Sequence, residues 1–95
     1  MRRLLVTRRT VAEAERDSYD GAWSRVAAAV LVAGGNAWVF HSIRDPSLIV
    51  EYIEWRADEG PVAPLESAHV REARAAMESL VPADGEEELE SLPGR

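Results

Sequence analysis

The chain contains no cysteine and no lysine. The first absence excludes a disulfide scaffold, a thiolate nucleophile, a cysteine-ligated zinc site and an iron–sulfur cluster. The second leaves arginine as the basic residue, eleven against seventeen acids, for a formal net charge of −6. That balance disfavours a nucleic-acid backbone as partner. Long apolar runs are missing too. The longest, Val26 to Ala33, has eight residues, whereas a membrane span needs about 20. Arg2 and Arg3 precede only Leu4, Leu5 and Val6 before charge returns, too short for the apolar core of a signal peptide. The expectation is a soluble cytoplasmic protein. There is no glycine-rich phosphate loop, because Gly34-Gly35 follows a helical pattern and precedes a strand, the reverse of the required order. Ser, His and Asp occur without a nucleophile context.

What is present suits one small domain: 95 residues, 46% of them apolar. Charge is uneven. Residues 1–82 hold ten arginines against twelve acids, while residues 83–95 hold Asp84, Glu86, Glu87, Glu88 and Glu90 against Arg95. The reading is a single domain over 1–82 and an acidic C-terminal tail over 83–95. For that tail two alternatives stand, a short edge strand and a disordered end.

Residues 3–9 alternate weakly, with Leu4 and Val6 on one side and Arg3, Leu5 and Thr7 on the other, which predicts a first strand. Thr10-Val11-Ala12-Glu13 fits a capping box. Tyr19, Trp23, Val26, Ala27, Val30 and Leu31 then form one apolar stripe, predicting a helix over 12–33 that Gly34-Gly35 stops. Two strands follow, 37–44 and 48–55, joined by the turn Asp45-Pro46-Ser47 as an antiparallel hairpin. Residues 57–63 read as a loop. Val70, Ala73, Met77 and Leu80 mark a second helix that starts near Pro64 and ends at Pro82.

The two hairpin strands are apolar on both faces. Trp38 and Phe40 oppose Ala37, Val39 and Ile43; Leu48, Val50 and Tyr52 oppose Ile49, Ile53 and Trp55. Two helices cover one face of a small sheet, and no further chain remains to cover the other. Each large apolar side chain left in water forfeits about 1.5–3 kcal/mol, so three or four of them approach the stability of a whole domain. The simplest solution is a homodimer, sheet face against sheet face about a two-fold axis.

The fold class is therefore α+β, a ferredoxin-like βαββα(β) order with an antiparallel sheet. This order, with Tyr19 and Trp23 on the first helix, Gly34-Gly35 before Trp38-Val39-Phe40, the Arg44-Asp45-Pro46 turn and Glu51-Tyr52-Ile53-Glu54-Trp55, resembles the dimeric α+β barrel superfamily. Antibiotic-biosynthesis-monooxygenase-like and NIPSNAP-like small proteins are the relatives it looks like, over roughly residues 3–80. The resemblance implies a sheet-to-sheet dimeric barrel with helices outside. It also implies a small organic ligand held without a metal or dissociable cofactor.

The candidate catalytic residues are His41, Tyr52 and Glu54. His41 is an ionisable ring within a two-faced apolar hairpin, able to serve as acid or base. Tyr52, Glu51 and Glu54 lie on the neighbouring strand, and the hairpin register decides which of them faces it. The bland reading of His41 is a hydrogen-bonded interface residue. Trp38, His41, Tyr52, Trp55 and Trp23 are the candidate ligand-binding residues; periodicity favours core for Trp23 and interface or pocket for Trp38 and Trp55. Glu66 and His69 have a metal-ligand spacing, but di-iron sites need two such pairs, so solvated helix surface is the reading and no metal is expected. Compared with the haem-degrading members of the resembled superfamily, the first strand has Thr7 and no Asn, and the 57–66 loop has no Trp. Arg2, Arg3, Arg8 and Arg9 bind an anionic ligand or pair with carboxylates, those of a second copy's tail being one option. Two functions are carried forward. One is a small-molecule-binding dimeric barrel with cofactor-independent monooxygenase-like or isomerase-like activity. The other is a non-catalytic dimeric structural or ligand-binding module.

Overall fold

The computed structural model describes residues 1–57 and 64–93. Most of the loop expected at 57–63 lies outside the described residues. The elements are β1 (Arg2–Thr10), a 3-10 turn (Glu13–Glu15), α1 (Arg16–Val32), β2 (Asn36–His41), β3 (Leu48–Arg56), a second 3-10 turn (Pro64–Glu66), α2 (Ala68–Leu80) and β4 (Gly85–Glu90). The strands form one antiparallel sheet in the order β2-β3-β1-β4. The two longest strands, β1 and β3, occupy its centre.

Alternation assigns the faces. Leu5 pairs with Ile53 and Arg3 with Trp55, and these positions face the helices. Leu5, Ile49, Ile53 and Trp55 join Tyr19, Ala22, Trp23, Val26 and Val30 from α1 and Val70 and Met77 from α2 in one buried core. Tyr19, Trp23, Val26 and Val30 of the expected α1 stripe thus face the sheet, with Ala27 packed against them, but Leu31, at the last turn, is 68% exposed. Gly85–Glu90 is paired to β1, opposite Arg3 to Arg8, so this part of the acidic tail is an edge strand. Its glutamates discourage further strand addition at that edge.

Helix α1 begins later than its sequence pattern, and the capping box does not form. The N-terminal residue Glu15 makes no side-chain capping bond. Thr10 is the last residue of β1, and its hydroxyl donates to Asp84 at 2.7 Å instead. The C-terminal stop follows the expected chemistry. Gly34 has φ of +92°; its N–H donates to Leu31 O at 3.1 Å and that of Gly35 to Val30 O at 2.9 Å. These two bonds satisfy carbonyls that the helix end would leave open.

Gly35 is needed for a different reason, the close approach of α1's end to the sheet. A Cβ there would stand 2.9 Å from the backbone oxygen of Glu54 and 3.0 Å from Val30 Cγ1. Gly35→Ala is expected to destabilise by about 1–3 kcal/mol, while Gly21→Ala, with nothing within 4 Å of its Cβ position, is expected to stabilise the helix slightly. Urea unfolding of both variants checks the contrast.

Candidate functional site

The face of the sheet turned away from the helices carries Leu4 and Val6 of β1, Trp38 and Phe40 of β2, Leu48, Val50, Tyr52 and Glu54 of β3, and Leu89 of β4, as the pairing registers dictate. Trp38 is 43% exposed and Phe40 58%, values that a core would not leave for aromatic rings. Trp38 stands directly across from Tyr52. The rings of Phe40 and Tyr52 meet edge to face, with centroids 5.7 Å apart at 78°. Glu54 lies two residues further along the same face of β3. Its Oε2 accepts from Arg2 Nε at 2.7 Å and from a terminal nitrogen of the same guanidinium. The arrangement is an apolar and aromatic surface with one phenol and the Arg2-anchored Glu54 carboxylate beside it, while Arg8 and Glu87 stand towards the β1–β4 side of the same face.

The structure separates the sequence-derived candidates into three groups. Trp38, Tyr52 and Glu54 share the open face. Trp23 and Trp55 are buried on the other side, in the core between sheet and helices. His41 pairs with Ile49 at the end of β2, on the helix side of the sheet, and is exposed. Its Nδ1 lies 3.2 Å from the carbonyl oxygen of Ser42. The register therefore places His41 and Tyr52 on opposite faces. Glu51, which shares His41's side, is occupied elsewhere. Phe40 is the aromatic that sequence reasoning left out of the site, although its alternation with Trp38 signalled the shared face.

A second constellation joins sheet and helices. Arg9, 3% exposed, projects inward from β1. Its Nε donates to Glu51 Oε2 at 2.9 Å, and Nη1 donates to Glu78 Oε2 at 2.8 Å and to the carbonyl of Val81 at 2.5 Å. The Tyr19 hydroxyl donates to the same Glu51 oxygen at 2.6 Å. Arg9 thus ties β1 to β3 and the end of α2, and Tyr19 brings α1 to the same Glu51 oxygen. Burial works against its charge, but the hydrogen bonds to Glu78 and Glu51 outweigh it and hold the guanidinium above its usual pKa. Burial, then the bond to Glu51, pushes the Tyr19 phenol far above the ordinary value. A hydrogen bond from the Ala83 N–H, with Arg9 second, holds the Glu78 carboxyl below its usual range. The sequence signal was the pair of charges, Arg9 and Glu51, at inward positions of central strands.

On the outer side of the helices, Ala28, Ala29, Val32, Ala33, Ala73 and Ala76 line a groove of about 790 Å³ with His69 at its edge. Glu66 ends the 3-10 turn while His69 belongs to α2. Among the described residues no three acidic or histidine side chains gather as a metal site. No helix of the described chain is long and apolar enough to cross a membrane.

No protein-family model matches the chain, and no curated protein matches it. Solved structures do. A variant of SnoaB, a cofactor-independent oxygenase from Streptomyces nogalater, superposes with a TM-score of 0.75 at 16% identity, covering 97% of each chain. Rv0793 from Mycobacterium tuberculosis gives 0.75 at 14% identity, over 97% of this chain and 96% of its own. A third solved structure, of an antibiotic biosynthesis monooxygenase, gives 0.71 at 13% identity, over 98% of this chain and 100% of its own. The chain shares the ferredoxin-like α+β fold of these structures. Several of the solved structures it resembles carry the name antibiotic biosynthesis monooxygenase. The resemblance read from the sequence holds at the level of fold.

Two outcomes follow from the buried network. Arg9→Met leaves the Glu51 carboxylate buried without its countercharge and is expected to cost about 3–5 kcal/mol, read from denaturant midpoints. Tyr19 is held neutral in the folded chain, so its contribution is complete below the ordinary phenol range near 10.0. That contribution is lost as pH rises above it towards the folded value. Tyr19→Phe should cost about 1.5–3 kcal/mol at neutral pH and flatten the alkaline limb of the stability profile, measured by thermal unfolding against pH.

Proposed function

We propose that the chain acts as a homodimer, sheet face against sheet face, that binds a small, largely aromatic organic molecule beside Trp38, Phe40 and Tyr52. Cofactor-independent oxygenation or isomerisation of that molecule is the chemistry this reading carries. The single observation behind it is the aromatic cluster on the helix-free face, with Trp38 and Phe40 exposed beside a half-buried Tyr52, in a chain whose other large rings are buried. Covering it with a second copy removes several large apolar side chains from water, each worth about 1.5–3 kcal/mol when fully buried. The ligand would sit where two such surfaces meet imperfectly. The Tyr52 hydroxyl would hydrogen-bond an oxygen substituent, and Glu54, on the same strand as Tyr52 and anchored by Arg2, would supply a carboxylate. The name of SnoaB supports the oxygenase part of the reading by likeness of fold.

The non-catalytic module is the second reading. It draws on the separation of His41 from Tyr52 and Glu54, which leaves the open face without an imidazole acid or base.

Sedimentation at micromolar concentration is expected to give twice the single-chain mass of 10.5 kDa. 1-Naphthol is expected to quench tryptophan fluorescence saturably. Trp38→Ala should weaken that binding roughly tenfold or more, and Tyr52→Phe about threefold to tenfold. A stable single-chain particle would overturn the dimer. A dimer that binds no aromatic probe and turns none over would select the module.

A further inference from the structure

We infer that the two copies are set in register by a reciprocal ion pair, Arg8 of one protomer against the partner's Glu87, formed twice about the two-fold axis. The inference rests on the sheet-to-sheet reading above and adds to it the residues that decide how the sheets align.

Arg2 engages Glu54, Arg3 engages Glu90, and Arg9 engages Glu51 and Glu78. Arg8 has no carboxylate partner among the described residues, and it is exposed. Alternation puts its side chain on the helix-free face, between Val50 of β3 and Gly85 of β4. On β4 the same face receives Gly85, Glu87 and Leu89. Glu87 stands across from Val6, and it too is exposed and without an ion-pair partner among the described residues. The remaining charges at these positions are spoken for: Arg2 and Glu54 hold each other, and Arg56 at the strand's end is engaged. An apolar face thus carries two uncommitted charges of opposite sign on adjacent strands.

Covering that face would bury both. A charge taken from water without a countercharge opposes association strongly, and one that meets its opposite does not. Two-fold symmetry supplies the meeting. On a sheet lattice of about 3.3 Å per residue and about 4.8 Å between strands, Arg8 and Glu87 lie diagonally about 8 Å apart. A two-fold axis between the sheets, crossing the midpoint of that diagonal at right angles, exchanges the two positions. Arg8 then stands over the partner's Glu87, and Glu87 over the partner's Arg8. Val6, beside the diagonal, falls close to the axis. On that lattice Phe40 and Val50 fall over the partner's Leu4 and the partner's Leu89, the two Tyr52 side chains approach each other near the axis, and Trp38 covers the partner's Glu54. The strands of the two sheets cross near a right angle, one of the two ways in which sheets pack face to face. A slip in either direction would set these charges against oily side chains, so the pair selects one alignment.

The test is a charge exchange read by sedimentation. Arg8→Glu places two carboxylates opposite each other at both points of contact, and Glu87→Arg places two guanidinium groups there. Each single variant is expected to raise the dimer dissociation constant roughly tenfold or more, with circular dichroism and melting temperature reporting that each chain still folds. The double variant R8E/E87R is expected to return within about threefold of the unmodified chain. Mixing the two single variants is expected to yield a heterodimer, because each then supplies what the other lacks. Single variants that dimerise like the unmodified chain, or a double variant that stays as weak as the singles, would overturn the pair while leaving the sheet-to-sheet dimer standing. A monomeric unmodified chain would overturn both.

Discussion

A four-stranded sheet has two faces, and two helices cover one of them. On the helix side Leu5, Ile49, Ile53 and Trp55 are removed from water by α1 and α2, and the core closes around them. On the other side Trp38, Phe40, Leu48 and Leu89 remain between 42% and 58% exposed. Free energy lost there is of the order that holds a small domain together. That imbalance is what the proposed assembly and the proposed ligand site both draw on. The aromatic rings that would cement an interface are the same rings that would cradle a small molecule.

The helix side solves a different problem. Four glutamates line the edge strand β4, and a charged chain of this size must keep its layers together against its own negative field. The Arg9 guanidinium does so from within. It collects Glu51, Glu78 and the Val81 carbonyl, while Tyr19 caps the Glu51 oxygen it shares. No buried side-chain polar atom among the described residues is left without a partner. A network of this kind adds less net stability than an equally filled apolar core, but it penalises alternative packings, since any misplacement strands a buried charge. On the outer margin Glu86 receives Thr7 and Arg74, tying β4 to β1 and α2.

Much of this was legible in the residues alone. The apolar runs within 37–44 and 48–55, bounded by glycine and the Asp45-Pro46-Ser47 turn, located β2 and β3, although β2 ends at His41 rather than Arg44. Gly34-Gly35 located the end of α1 because few residues other than glycine accept a φ of +92°. The capping box misled, since a threonine hydroxyl bonds whichever acceptor the tertiary fold brings near, and that was Asp84. Likewise the candidate site was legible in its residue types and only partly in their grouping. Trp38, Tyr52 and Glu54 did share a surface, whereas Trp23 and Trp55 went to the core and His41 to the far side of the sheet.

The amino-acid order determined most of the elements and the excess of apolar surface, because hydrophobic periodicity and backbone preference act within a few residues. It could not determine the register of β2 on β3, since a one-residue shift leaves the local pattern intact while exchanging every side chain between faces. Nor could it show that Arg9, Glu51 and Tyr19 meet. Charges so far apart along the chain find one another only when strands and helices have already been brought together, and burial then makes their pairing compulsory.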